Sequence, residues 1–330
     1  MNNPLVSIII PVYNGSNYMR EAIDSALMQT YNNCEILVIN DGSDDNGETE
    51  RVALSYGDKI RLFTKSNGGV ASALNCGIAN MHGEYFAWLS HDDIYLPEKI
   101  AVQISVLANL SDKRDIVFSG FAVIDSTGRE LNRVLPLERY TQEQLETPLF
   151  ALVHGMISGC GLLIHKSHFS REGLFREDLS TTQDFDLWFR VMRNNPCRVC
   201  EGVLHKTRVH GEQASWIHAH IHKHENDELW IRIMETLTDD EKTRIDGSVK
   251  RFYKNLFLHL LVHSNSKGAI RYAKKSYSEQ FKHRCHLMRL VLEISGKARL
   301  LGEFIKSIKK HGLKTTIKRT FHGLRRLFVR

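Results

Sequence analysis

No apolar run in this sequence approaches the ~20 residues that a membrane-spanning helix needs. The opening Met1-Asn2-Asn3-Pro4 lacks positive charge, and the apolar stretch at residues 6–10 is too short for a secretory signal. No GxGxxG follows the first apolar run and no GxxxxGK[ST] occurs anywhere. A phosphate cradled on a glycine-rich loop is therefore not how the chain would hold a ligand. The six cysteines (34, 76, 160, 197, 200 and 285) are scattered, and Cys197-Arg198-Val199-Cys200 has no second CxxC to join it. They are expected to be reduced thiols of a cytosolic protein, without metal or redox chemistry.

What is present is an ordinary globular composition, 42% hydrophobic and 25% charged, so a packed core is expected. At 330 residues the chain can form one large domain with an appendage, or two domains. Charge is unevenly spread: residues 297–330 hold eleven Lys or Arg against one acid, a net +10. The total is +6, so the rest of the chain carries −4. In the tail, Phe304, Ile308, Ile317, Phe321, Leu324 and Phe328 recur at helical spacing among the basic residues. Such a helix suits an anionic membrane surface; packing against the body, or nonspecific nucleic-acid affinity, is the alternative.

The first hundred residues alternate two periodicities. Apolar runs at 5–10, 34–39, 60–63 and 85–89 read as buried strands, and residues 18–30, 48–56 and those after the Asn67-Gly68-Gly69 turn read as helices, the first capped by Asn17. That spacing predicts βαβ units and a mostly parallel sheet, whose ligands sit at the carboxyl ends of the strands. Polar clusters fall at those ends: Tyr13-Asn14, residues 41–45, Lys65 to Gly68, and Asp92-Asp93. Adjacent carboxylates ending a buried strand are costly without a compensating partner. A turn or helix cap is one explanation and a hard divalent cation is the other; the clustering favours the cation.

Downstream, strands are expected at 115–118 and 121–125 with a hairpin turn at 126–128, while residues 133–147 show no clear pattern. The small residues at 154–161 either let the backbone approach a ligand or make a tight turn. Thr182 is a candidate cap for a helix that places Asp184 and Asp186 in its first turn. There a carboxylate either complements the helix dipole or serves as a general base. His218, His220, His222 and His224 recur at alternate positions, which reads as a solvated face in preference to a zinc site. From 239 onward the pattern is helical.

Taken together, these pieces resemble family 2 glycosyltransferases with the GT-A nucleotide-sugar-binding fold. The resemblance covers about residues 4–216 and rests on Val6 to Asn14, Asn40-Asp41-Gly42-Ser43, Asn67-Gly68-Gly69 with Asn75, Asp92-Asp93, Gln183-Asp184, and His210 with Ser215. It implies an α/β fold, a GT-A type mostly parallel central sheet with flanking helices, over residues 1–216; residues 217–330 lie outside it and are expected, from their own pattern, to form a basic helical C-terminal region. It implies an inverting transfer from a nucleotide-diphosphate sugar, with UDP the expected nucleotide, to a hydroxyl of a lipid-linked or surface polysaccharide. Asp184 would be the base. Pro11, Tyr13, Asn14, Asp41, Asn67, Gly68 and Asn75 would bind the donor. Asp92, Asp93 and His210 would hold donor and metal, Mg²⁺ or Mn²⁺.

The chain departs from the family pattern at three places. Ser90 and Gln183 stand where acids are usual, and Asn40 where Asp is common. Without the acid at 183, Asp184 loses one influence that would raise its pKa. The first two departures motivate the alternative of a nucleotide-sugar-binding subunit of a synthase complex without turnover. The expected location is cytoplasmic and peripheral, on the inner face of the membrane, with no specific nucleic-acid partner.

Overall fold

The computed structural model describes residues 3–213, 219–264 and 266–279. The expected first-half strands form as Val6–Val12 (β1), Cys34–Asn40 (β2), Arg61–Thr64 (β3) and Tyr85–Trp88 (β4). Every residue of β1 is buried, as its unbroken β-branched run requires of a strand covered on both faces. β1 pairs in parallel with β2 and β4, and β2 with β3. Helices Met19–Leu27 (α1), Glu48–Leu54 (α2) and Gly69–Asn80 (α3) make the crossovers. A short antiparallel strand, Ile164–His165 (β8), closes one edge in the order β3-β2-β1-β4-β8. The chain steps outward from β1 to β3 and then returns to β4 on the other side of β1. The strand order reverses there, which opens a crevice at the carboxyl ends of β1 and β4.

Ile94–Tyr95 (β5), Ile116–Ile124 (β6), Glu130–Val134 (β7) and Cys197–Arg208 (β9) build a second sheet, in the order β5-β9-β6-β7. Sequence suggests two strands, at 115–118 and 121–125; they are one continuous β6. The small residues that look like a break carry a register shift against β9 around Gly120. A Cβ there would lie 2.7 Å from the carbonyl oxygens of Gly202 and Val134, so only glycine fits. The unpatterned stretch after β7 folds as two short helices, Pro136–Arg139 (α5) and Gln142–Glu146 (α6). A Thr141/Gln144 capping box opens the second, a T-x-x-Q signal that was legible.

Lys99–Ala108 (α4), Phe150–Val153 (α7), Ser167–Glu172 (α8) and Gln183–Arg193 (α9) flank the sheets. Two expected caps are corrected. Asn17 does not cap α1; its amide donates to Glu212. Thr182 precedes α9, but its hydroxyl donates to Glu225 instead of accepting from the helix. The described cysteines are all free, as expected; Cys285 lies outside the described residues.

The expected helical region continues as Ala219–Thr236 (α10), Asp239–Asp246 (α11), Val249–His263 (α12) and Lys267–Glu279 (α13). It packs through buried Trp230, Ile233, Met234, Phe252 and Leu256. Fully buried Asp186 of α9 accepts from Arg190 and from Arg232 of α10, and Arg193 pairs with Glu241 at 2.7 Å. No helix among the described residues is long and apolar enough to cross a membrane. The basic tail, Ser215 and His218 lie outside the described residues.

Gly155 shows how closely this region meets the rest. It ends α7 at φ +67°, its N–H donating to Leu152 and that of Met156 to Ala151, a Schellman motif. A Cβ on it would meet His259 Cε1 of α12 at 2.4 Å. Gly155→Ala therefore combines the cost of a left-handed residue, about 1–2 kcal/mol, with displacement of His259. Urea unfolding should show a lowered midpoint at unchanged slope; an unaltered midpoint would contradict this packing.

Candidate active site

The crevice at the ends of β1 and β4 is a cavity of about 770 Å³. Pro11, Tyr13, Asp41, Asn67, Gly68, Asp92, Asp93, Asp184 and His210 all border it, drawn from separate stretches of chain. Two expected donor-binding residues do not border it. Asn75 is spent on the 175–177 segment, exchanging hydrogen bonds with the Phe175 backbone and donating to Glu177. Asn14, at φ +48°, bonds both the side chain and the backbone N–H of Asp44, tying the loop after β1 to the loop after β2. Both hold loops in place; short polar side chains at turns give the same sequence signal whether they bind a ligand or brace a loop.

Asp41 is 2% exposed and follows β2. Its carboxylate accepts from Lys65 Nζ at 2.7 Å and from the Gly68 and Gly69 N–H groups at 2.7–3.2 Å. The first amides of α3 thus receive their anion from another loop. That contact fixes the glycine turn against β2.

Asp92 and Asp93 are both buried, and the structure gives them different partners. Asp93 Oδ1 accepts the Arg208 N–H of β9 at 2.8 Å. Burial first, and then the neighbouring Asp92 charge, push its carboxyl well above the usual range. Asp92 Oδ2 instead meets His210 Nε2 at 2.9 Å. Burial works against its charge, but His91, Ser90 and His210 outweigh that and hold the carboxyl below its ordinary range. Ser90, standing where an acid was expected, thus supports the Asp92 charge. His91 packs so tightly on Gly15 that a Cβ there would touch its ring at 2.3 Å, and burial lowers its pKa.

Arg208 was missed by sequence reading. It is 1% exposed, donates Nε to the Asp92 carbonyl at 2.9 Å and pairs with Glu21 at 2.9 Å. Its guanidinium also lies 4.5 Å from the centre of the Tyr18 ring. An arginine at the end of a strand gives no sign in sequence of lying beneath a carboxylate pair.

Asp184 sits in the first turn of α9. Its Oδ1 accepts the Phe185 N–H at 2.8 Å. Burial raises its pKa to about 6, so the missing acid at 183 does not leave it an ordinary carboxylate. The segment before it hangs on Glu225 of α10, the second residue that sequence reading missed. Glu225 accepts the Ser180 and Thr181 N–H groups at 2.7 and 2.8 Å and the hydroxyls of Thr181 and Thr182 at 2.8 and 3.2 Å. Of the small residues at 154–161, Gly155 makes a tight turn, while Ser158, Gly159 and Cys160 border the cavity and Gly159 lies against Trp88, where a Cβ would be 2.7 Å from the ring. His220, His222 and His224 fall on α10; His222 meets Thr181 at 3.0 Å and His224 pairs with Glu228. Among the described residues no group of three or more His, Cys, Asp or Glu could hold a metal by itself.

Comparison with known proteins agrees with this fold. The family model for Glycosyl transferase family 2 matches residues 7–171. The chain belongs to that family. A relative from Rickettsia prowazekii, described only as an uncharacterized glycosyltransferase, is 44% identical over 98% of this chain and 97% of its own length. One from Rickettsia felis is 53% identical over 74% of this chain, which spans 40% of that relative. A mannosyltransferase of Pyrobaculum calidifontis, solved with GDP-mannose and Mn²⁺, superposes with a TM-score of 0.59 at 16% identity over 100% of this chain and 89% of its own. The fold is thus the expected α/β GT-A type.

Glu225→Gln puts an amide donor against N–H groups that need an acceptor. It should cost about 1–3 kcal/mol of stability and, by loosening Asp184, lower turnover roughly 10- to 100-fold. Thermal melting and a transfer assay on the same preparation check both. Full activity in the variant would show that Glu225 does not position a residue that the reaction needs.

Proposed function

We propose that the chain transfers a sugar from a nucleoside-diphosphate sugar to a glycan hydroxyl with inversion at the anomeric carbon. The observation that carries this reading is Asp184. It is a carboxylate with its pKa raised to about 6, anchored by one backbone N–H and bordering the same cavity as Asp41, Asp92 and His210.

An acceptor hydroxyl is a poor nucleophile. Asp184 takes its proton as the oxygen forms the new bond to the anomeric carbon. The bond from that carbon to the diphosphate breaks on the opposite side, and the nucleoside diphosphate leaves with the electron pair. A base with pKa near 6 is ionised at neutral pH yet still accepts a proton. Pro11, Tyr13 and Asp41, which line the cavity, would hold the nucleobase and ribose, with uracil the nucleobase the acidic turn would favour. Asn67 and Gly68 lie beside them.

Asp92 and His210 fit a divalent cation: Asp92 Oδ2 and His210 Nε2 already converge at 2.9 Å, and an ion bound there would replace the hydrogen bond between them. A carboxylate oxygen with an imidazole nitrogen suits Mn²⁺, and Mg²⁺ is the alternative. Such an ion, bound there, would neutralise the charge that develops on the diphosphate. Asp93, turned to β9, supports the pair from behind. The solved mannosyltransferase with GDP-mannose and Mn²⁺ supports a donor of this class. We further propose that residues 1–216 form the transferase portion and 217–330 the helical extension. The basic tail at 297–330 would rest on an anionic membrane surface at its cytoplasmic face, beside a lipid-linked or surface polysaccharide.

Transfer should fall tenfold per unit as pH drops below about 6, because protonated Asp184 cannot act as base. Asp184→Asn should abolish that limb and lower turnover by roughly 10²- to 10⁴-fold while leaving the protein folded, since it removes a buried charge. EDTA should suppress wild-type activity with UDP- or GDP-sugars, and Mn²⁺ should restore it. Normal turnover in the Asp184→Asn variant would end the base assignment, and indifference to EDTA would end the metal assignment.

A further inference from the structure

A second cavity, of about 940 Å³, lies between the sheets and the C-terminal helices. It is within the ~300–1,000 Å³ typical of small-molecule sites. Thr181 and Asp184 border both cavities, so the segment carrying the proposed base faces the donor crevice on one side and this space on the other. We propose that this second cavity binds the acceptor glycan, and that α10, α11 and α12 are thereby part of the enzyme's substrate site. This rests on the assignment of Asp184 as base in a sugar transfer.

Three observations point to a sugar. The first is Asp246, at the end of α11, which is 6% exposed and borders the cavity. Its Oδ1 accepts from Asn255 at 2.7 Å and meets His154 Nε2 at 3.2 Å, but its buried Oδ2 has no hydrogen-bond partner. A buried acceptor without a donor costs free energy, and a hydroxyl from a ligand would supply that donor. The second is the combination of flat rings with amides. Tyr140, stacked on His154 at 5.4 Å, shares the lining with Phe185 and Trp230 and with the side-chain amides of Asn226 and Asn255. Aromatic faces suit the C–H face of a sugar ring, and amides and a carboxylate suit its hydroxyls. The third is charge: Arg139 and Arg251 are matched by Asp184 and Asp246 in the lining, so the cavity is not built for a polyanion.

The geometry also explains why the extension is fastened where it is. Glu225 and Arg232 tie α10 to the two ends of the segment that begins α9, and Gly155 lets α12 approach to van der Waals contact. Those contacts set one wall of the cavity against the base.

Binding measurements separate donor from acceptor, with no need to know the natural acceptor. Saturation-transfer NMR would use a panel of neutral disaccharides and p-nitrophenyl glycosides on the full chain, and calorimetry would follow UDP, GDP and their sugars with Mn²⁺. Two variants are compared with wild type. Asp246→Asn keeps the bonded oxygen and replaces the unpartnered one with a donor. Val262→Trp, at an exposed position on the lining, fills the space without touching the donor crevice. Wild type should bind at least one glycoside, both variants should weaken it at least tenfold, and nucleotide binding should be unchanged. If the panel does not bind, or binds both variants as well as wild type, the acceptor assignment is overturned while the donor reading stands. Failure of wild type to bind any nucleotide would instead overturn the donor reading, and this inference with it.

Discussion

Two carboxylates on adjacent residues cannot both be buried and charged without large compensation. The site is arranged around that constraint at Asp92 and Asp93. Asp93 is turned inward and tied to the backbone of β9, and burial beside Asp92 raises its pKa. Asp92 keeps its charge and points to His210. One arginine underlies both: Arg208 offers its backbone N–H to Asp93 and its guanidinium to the Asp92 carbonyl. Sheet topology places β9 beside β5, the short strand that follows the acids, so the long-range pairing is needed before the pair can divide its roles.

The same logic governs Asp184, the proposed base. Asp184 is raised by burial and steadied by a single amide, and a basic or acidic neighbour would move it away from the range where a base works at neutral pH. Its support comes from a distance, through Glu225 of α10, which binds the turn ahead of α9 by four hydrogen bonds. The helical extension is therefore coupled to the chemistry by polar contacts at one end of α9 and by the Asp186–Arg232 pair close by.

Much of this was legible before any coordinates. The buried strands β1, β2 and β4 show as unbroken apolar runs, and the polar clusters at their ends locate the crevice because strand order and ligand position are linked in such sheets. The residues that sequence reading missed or misassigned share a property: their roles depend on partners far away in the chain. Asn14 and Asn75 look like ligand contacts but brace loops, Asn75 across a separation of 100 residues. Glu225 looks like a surface residue of a polar helix, and Arg208 like the end of a strand. No local pattern encodes such contacts, because neither helical nor strand periodicity reports which distant element covers a face.

The central claim is a single displacement with Asp184 as its only base. One measurement addresses it directly: NMR of the anomeric proton in the first-formed product, starting from a donor of known configuration. The opposite configuration at that carbon is the expected result. Retention would require a second displacement through a covalent or ion-paired intermediate and would contradict the assignment of one carboxylate to one step.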